Sequence, residues 1–230
     1  MSILPHFTVI VPAAGVGKRM QADRPKQYLM IEDKTVLEHT LDKLISHPRI
    51  AHVVVVLDPL DPYFDALPCK DAPWLSRVDG GKERADSVLA GLKSLTEQPW
   101  VLVHDAARPC VSHQDLDSLL ALTHKQQGGI LACPVRDTMK RAKSDSATIA
   151  STVDREGLWH ALTPQLFPLA ELTQALSSSL HQGVNITDEA SAMEWAGFDV
   201  KLVEGSDRNI KITRPNDLAL ASFYLSQDKK

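Results

Sequence analysis

Directly after an apolar run, Phe7–Val11, the chain reads Pro12-Ala13-Ala14-Gly15-Val16-Gly17-Lys18-Arg19-Met20. Small residues let a backbone approach a ligand closely, and successive free N–H groups can cradle phosphate oxygens. Two common phosphate loops fail here. A Walker loop needs Gly at position 12 and a hydroxyl residue at position 19, where Pro12 and Arg19 stand. A dinucleotide fingerprint needs Gly or Ala at position 20, where Met20 stands. What remains is a Gly-x-Gly loop with Lys18, Arg19, Arg24 and Lys26, four cations within nine residues. Such a cluster suits a triphosphate whose charge grows during phosphoryl chemistry. A small-residue turn with solvated charges is the plainer reading of the same residues.

A second candidate is Asp105, which follows the apolar run Trp100–His104. One carboxylate at a strand end is a fair Mg2+ ligand, because Mg2+ takes one or two carboxylates and fills its shell with phosphates and water. A helix cap or an arginine partner is the other reading. His104 has no neighbour at metal-ligand spacing and reads as structural. Cys69, Cys110 and Cys133 are scattered and form no C-x-x-C pair, so neither a zinc knuckle nor a redox dithiol is spelled out.

The elements that must position these residues alternate. Phe7–Val11, Ala51–Leu57, Leu75–Val78, Trp100–His104, Ile130–Val135 and Val200–Glu204 read as strands. The first two are apolar on both faces, as strands between helix layers are. Helical spacing runs through Thr35–Ser46, Arg84–Leu95, Ser112–Lys125, Pro168–Leu180, Asp188–Ala196 and Pro215–Ser226. Thr35 with Glu38, and Ser112 with Asp115, are placed as helix starts. Strands alternating with helices imply parallel pairing and right-handed crossovers. The fold class is therefore α/β, a doubly wound and mostly parallel sheet in a single domain over residues 1–230. Ligands of such sheets bind beyond the carboxyl ends of the strands, where the glycine loop, the turn after Val78 and Asp105 all fall. Residues 137–155 break the pattern. Met139–Ala142 and Ile149–Val153 can pair as a hairpin around Lys143–Thr148, a polar arm rather than a core element; a disordered loop is the alternative.

Composition narrows the partners. The 230 residues carry 25 Lys+Arg against 29 Asp+Glu, a net charge of −4, with 43% hydrophobic residues. That content argues against disorder, and the mild acidity argues against nucleic-acid or membrane-surface binding. No apolar stretch approaches the ~20 residues of a membrane helix. With scattered cysteines and no positively charged leader, a cytoplasmic location is expected.

The ordered motifs resemble a known family. Pro12–Met20 with Pro25-Lys26-Gln27 is similar to the signature of the sugar-nucleotidyltransferases. Asp79-Gly80-Gly81-x-Glu83-Arg84-x-Asp86-Ser87-Val88, His104-Asp105-Ala106-Ala107-Arg108-Pro109, Pro134–Thr138, Ile186–Ser191 and Asn209–Thr213 together resemble the 2-C-methyl-D-erythritol 4-phosphate cytidylyltransferase family from about residue 7 to 224. The resemblance implies a Rossmann-like nucleotidyltransferase fold and CMP transfer from CTP to methylerythritol phosphate, with Mg2+. It implies Arg19 and Lys26 as catalytic cations and Asp105 as metal ligand. It places CTP on Pro12, Ala13, Ala14, Gly15, Gly17, Gly81, Lys82, Ser87, Ala106 and Arg108. It places the acceptor on Thr138, Arg155, Thr163, Thr187 and Lys211, the last on a late strand. An acidic residue commonly follows Gly81 in the family; Lys82 stands here. The 137–155 arm is implied to cross to a second subunit, giving a homodimer. A cytidylyltransferase for another polyol phosphate, such as ribitol 5-phosphate, would share the nucleotide motifs. The broken glycine fingerprint argues against an NAD oxidoreductase, and the joint presence of Arg19, Lys26 and Asp105 argues against a non-catalytic nucleotide binder.

Overall fold

A computed structural model describes residues 6–15, 20, 23–96 and 98–228. In chain order these residues form β1 (Phe7–Pro12), β2 (Met30–Ile31), β3 (Lys34–Thr35), α1 (Val36–Ile45), β4 (Ile50–Leu57), β5 (Leu75–Asp79), α2 (Arg84–Lys93), β6 (Trp100–Val103), α3 (His113–Leu120), β7 (Gly129–Pro134), β8 (Met139–Ala142), β9 (Ile149–Val153), β10 (Trp159–Pro168), α4 (Leu169–His181), α5 (Glu189–Trp195), β11 (Lys201–Glu204) and α6 (Pro215–Gln227). The main sheet has seven strands in the order β11-β7-β10-β6-β1-β4-β5. Its pairs are parallel except those of β10, which runs against both β6 and β7.

Alternate residues of the central strands feed two apolar layers. Val9, Val11, Val53, Val55 and Leu102 pack with α1 and α3. Ile10, Val54, Val56, Val101 and Val103 pack with α2, α4 and α5. This is why these strands are apolar throughout instead of alternating. Each fully buried Leu or Ile, such as Leu41, Leu116 or Ile10, stabilises the fold by about 1.5–3 kcal/mol relative to exposure. A third cluster joins Met20, Ala107, Cys110 and Ile212 to Ala221 and Leu225 of α6. It ties the loop after β6 to the C-terminal helix.

Helix starts follow the expected chemistry. Thr35 Oγ1 accepts from Glu38 N, and the Glu38 carboxylate accepts from Thr35 N. Ser112 and Asp115 repeat the arrangement at α3. The helix expected over 112–125 is shorter: α3 stops at Leu120, and a 3-10 turn over Ala121–Lys125 ends at Gln126 with φ of 53°. The 139–142 and 149–153 strands do form an antiparallel hairpin, with mostly exposed residues.

Two features depart from the sequence expectation. One is the ten-residue β10, where Pro164 in mid-run argues against a central strand. A register shift between Ala161 and Gln165 accommodates it. Residues 209–213 are not a strand. Their backbone is used on the loop after β6 instead: Ile212 N donates to Ala107 O at 2.9 Å, and Asn209 O accepts from Arg108 Nη1 at 2.6 Å.

Candidate active site

The carboxyl ends of β1, β5 and β6 open onto a cavity of about 310 Å³. Its lining comprises Pro12, Ala13, Ala14, Gly15, Lys26, Gln27, Gly81, Lys82, Glu83, Arg84, Ser87, Asp105, Ala106, Ala107 and Lys211. Residues nearly 200 positions apart in the chain therefore meet at one place.

The floor is built by short backbone contacts. Ala13 N donates to Val56 O at 2.7 Å, and Gly80 N to Leu57 O at 2.7 Å. Buried Gln27 donates from Nε2 to Ala13 O at 2.6 Å, which fastens the Pro25-Lys26-Gln27 segment under the glycine loop. Lys26 Nζ donates to Ile212 O at 2.9 Å. The turn after β5 admits no side chain. A Cβ on Gly80 would lie 2.7 Å from Ser87 Oγ, and one on Gly81 would lie 2.3 Å from Asp86 Cβ. Ser87 Oγ accepts from Gly81 N at 3.2 Å and donates to Glu83 O at 3.1 Å, so the hydroxyl shapes this turn from beneath.

Asp105 is the electrostatic centre. Its Oδ1 accepts from Arg84 Nε at 3.2 Å, and its Oδ2 meets Lys211 Nζ at 2.7 Å and Arg108 Nε at 3.5 Å. Burial alone would raise its pKa. The nearby charges of Arg84, Lys211 and Arg108 outweigh that and hold the carboxyl well below the usual carboxylate range. Behind it, Thr163 Oγ1 accepts from Asp105 N at 3.0 Å and lies 3.1 Å from His104 Nδ1. His104 Nε2 lies 3.0 Å from Arg108 O. A carbonyl only accepts, so Nε2 carries the proton and Nδ1 accepts from the Thr163 hydroxyl. Burial pushes the His104 pKa down to about 4, so the ring is neutral near pH 7.

A sequence profile described as 2-C-methyl-D-erythritol 4-phosphate cytidylyltransferase matches residues 7–227. The chain belongs to this family. A relative of that name from Pseudoalteromonas atlantica is 61% identical over 226 residues, covering 98% of this chain and 97% of the relative. One from Escherichia coli O7:K1 is 58% identical over 219 residues, covering 95% and 93%. Among solved structures, the Francisella tularensis 2-C-methyl-D-erythritol 4-phosphate cytidylyltransferase matches with a TM-score of 0.83 at 35% identity, over 95% of this chain and 99% of that one. The Thermus thermophilus enzyme of the same name gives 0.81 at 31%, over 96% and 99%.

For this cytidylyltransferase family member, the cavity gathers Pro12, Ala13, Ala14, Gly15, Lys26, Gly81, Lys82, Ser87, Asp105, Ala106 and Lys211 from the residues singled out in the sequence. Arg108 and Thr163 do not line it. Both are buried behind Asp105, and Arg108 Nη1 is committed to Asn209 O. Thr138, Arg155 and Thr187 are exposed and also lie outside the lining. Arg155 donates to Arg136 O, and Thr187 Oγ1 donates to Ser191 Oγ at 3.4 Å. Gly17 and Arg19 lie outside the described residues, as does Lys18. Arg84 and Glu189 stand inside two of the motifs, and neither motif assigns them a task. The structure joins them: Arg84 Nη1 meets Glu189 Oε1 at 2.6 Å, and the carboxylate is 1% exposed.

Proposed function

We propose that this chain performs the reaction its family is named for: it transfers CMP from CTP to 2-C-methyl-D-erythritol 4-phosphate. The products are 4-diphosphocytidyl-2-C-methyl-D-erythritol and pyrophosphate, and the step belongs to non-mevalonate isoprenoid biosynthesis. The chain is a nucleotidyltransferase. The observation that carries the reading is the strand-end cavity itself, lined by the glycine loop, by the glycine turn after β5 and by Lys26, Arg84 and Lys211.

A phosphate oxygen of the acceptor attacks the α-phosphorus of CTP in line. The bond to the bridging oxygen breaks, and its electron pair leaves with pyrophosphate. No covalent protein intermediate is needed, so the protein contributes positioning and charge. Lys26 and Arg19 offset the growing charge at the α-phosphate, Arg19 through a planar fork and Lys26 as a mobile point charge. Backbone groups of Pro12–Gly15 and of the Gly80-Gly81 turn read cytosine, with Ala106, Gly17 and the Ser87 hydroxyl in support. Readout through backbone fits Lys82, whose side chain is exposed. Lys211 and Arg155 receive the acceptor phosphate with Thr138 and Thr187, while Thr163 and Arg108 act through Asp105.

Asp105 fits a magnesium ligand. It is ionised, a hard oxygen donor and on the cavity wall, where the half-exposed Lys211 is one of the cations that hold it. Among the described residues no group of three His, Cys, Asp or Glu gathers for a metal. A shell completed by nucleotide phosphates and water is what Mg2+ favours. When bound, Mg2+ neutralises phosphate charge and orients the triphosphate. The exposed 139–153 hairpin supports a homodimer in which the arm of one subunit reaches the other's acceptor site. No described helix is long and apolar enough to cross a membrane; a cytoplasmic enzyme without nucleic-acid partners is the reading.

Pyrophosphate release from CTP and Mg2+ tests this. It should require methylerythritol phosphate and vanish with a chelator. Release independent of the acceptor, or a higher kcat/KM for ribitol 5-phosphate, would refute the assignment.

A further inference from the structure

Arg84 touches two carboxylates at once. Its terminal nitrogens meet both oxygens of Glu189, Nη1 to Oε1 at 2.6 Å and Nη2 to Oε2 at 3.2 Å. The side edge of the guanidinium faces one oxygen of Asp105: Nε donates to Oδ1 at 3.2 Å, and Nη2 lies 3.2 Å from the same atom. Glu189 comes from α5, 105 residues further along, and is 1% exposed. So buried a carboxylate is costly unless paired, and among the described residues Arg84 is the cation it meets.

The arrangement has a directional consequence. A guanidinium binds a carboxylate best when two of its nitrogens meet both carboxylate oxygens. Glu189 holds the terminal fork in that way, so Asp105 receives the side edge through one oxygen. With the fork free, Arg84 would turn it onto Asp105, whose Oδ2 already meets Lys211 and Arg108. Cations would then close the carboxylate on every side. We infer that Glu189 is a positioning residue for cytidylyl transfer: by gripping the fork of Arg84, it keeps Asp105 open to the divalent cation and the nucleotide. The inference rests on Asp105 as the metal ligand proposed above.

Binding of Mn2+ to the enzyme with CTP, followed through the electron paramagnetic resonance signal of free Mn2+, tests it beside a thermal melt. Glu189→Gln should weaken Mn2+ binding by about tenfold, the lower end of what loss of a metal ligand's supporting partner brings. Adding Arg84→Met should restore the affinity, because the freed fork is then gone. A merely structural Glu189 would not produce that recovery. Unchanged Mn2+ affinity in Glu189→Gln would overturn the inference, as would a double variant no tighter than the single one. Should Glu189→Gln fail to fold, the double variant, which buries no unpaired charge, decides alone: it must bind Mn2+ at least as tightly as the wild type. If Asp105→Asn binds Mn2+ like the wild type, the metal assignment falls and the inference with it.

Discussion

Thr163→Val separates a residue that touches substrate from one that holds the site in shape. Thr163 is 4% exposed, and its hydroxyl serves two buried partners: it accepts from Asp105 N at 3.0 Å and donates to His104 Nδ1 at 3.1 Å. Valine has a similar shape but no hydroxyl, so one buried N–H and one buried ring nitrogen lose their partners. Each such loss costs about 1–3 kcal/mol. Some relaxation at the β10 register shift puts the sum near the lower half, about 2–4 kcal/mol. At about 2–4 °C per kcal/mol for a chain of this size, Tm should fall by about 4–16 °C. The Asp105 backbone would also shift, and small misplacements at a reacting centre are expensive, so kcat should fall by about tenfold or more. Thr163→Ser, which keeps the hydroxyl, should retain most of both. The assay is a melt paired with pyrophosphate-release kinetics at varied acceptor. An unchanged Tm with a raised acceptor KM and normal kcat would refute the reasoning, and Thr163 would then be a direct acceptor ligand.

Lys26→Ala and Arg19→Ala should each lower kcat by about 10²–10³, the usual loss for one preorganised donor; near-normal turnover in steady-state assays would remove that variant's residue from the transition state. Gly91→Ala should lower Tm. A Cβ there would stand 2.8 Å from Ile10 Cγ2 and 2.9 Å from Val56 Cγ2, and overpacking costs about 1–3 kcal/mol. The helix gain from alanine is only about 1 kcal/mol, so a higher Tm would show that α2 can lift from the sheet without loss. His47 is 1% exposed, and burial pulls its pKa below the ordinary 6.5, against the opposing effect of Asp117. The unfolded chain therefore takes the proton first. The contribution of His47 to stability is complete above about pH 6.5 and is lost as pH falls below it. His47→Gln should flatten the urea midpoint against pH in that range; an identical slope would exclude His47 as a source of acid sensitivity.

How much of this was legible in the sequence depended on whether local signals agreed with the tertiary use of a segment. Val53–Leu57 is apolar on both faces and became a central strand with a helix layer on either side. Thr35 with Glu38 and Ser112 with Asp115 are local hydrogen-bonding devices, and both formed as spaced. The cavity wall was readable because strand-end loops carried compact motifs. β10 was not readable, since Pro164 opposes a strand locally and only the edges of β6 and β7 on either side overrule it. The segment with Lys211, expected as a late strand, is not one. Ile212 instead enters the cluster under α6 while its backbone bonds to Ala107. Arg84 and Glu189 were invisible as a pair, because nothing in one segment reports a charge partner 105 residues away.

Charge at the site follows from the same pairing. Arg84, Arg108 and Lys211 face Asp105 and Glu189, so this group carries three positive and two negative charges, a net +1, in a chain whose total is −4. The three cations are not equivalent. Arg84 is held by two carboxylates, and Arg108 is buried with Nη1 on Asn209 O. Lys211 has a side chain 36% exposed, and a 2.7 Å contact to Asp105 draws it in. An entering phosphate attracts whichever cation can move at least cost, and a lysine ammonium on a flexible stem moves more cheaply than a fixed fork. The two arginines therefore define where Asp105 sits, while Lys211, in the acceptor-site role proposed for it, would exchange the carboxylate for a phosphate. On that proposed role a strongly anionic substrate would enter an acidic protein because the charge of Lys211, held against Asp105, is given up where the phosphates arrive.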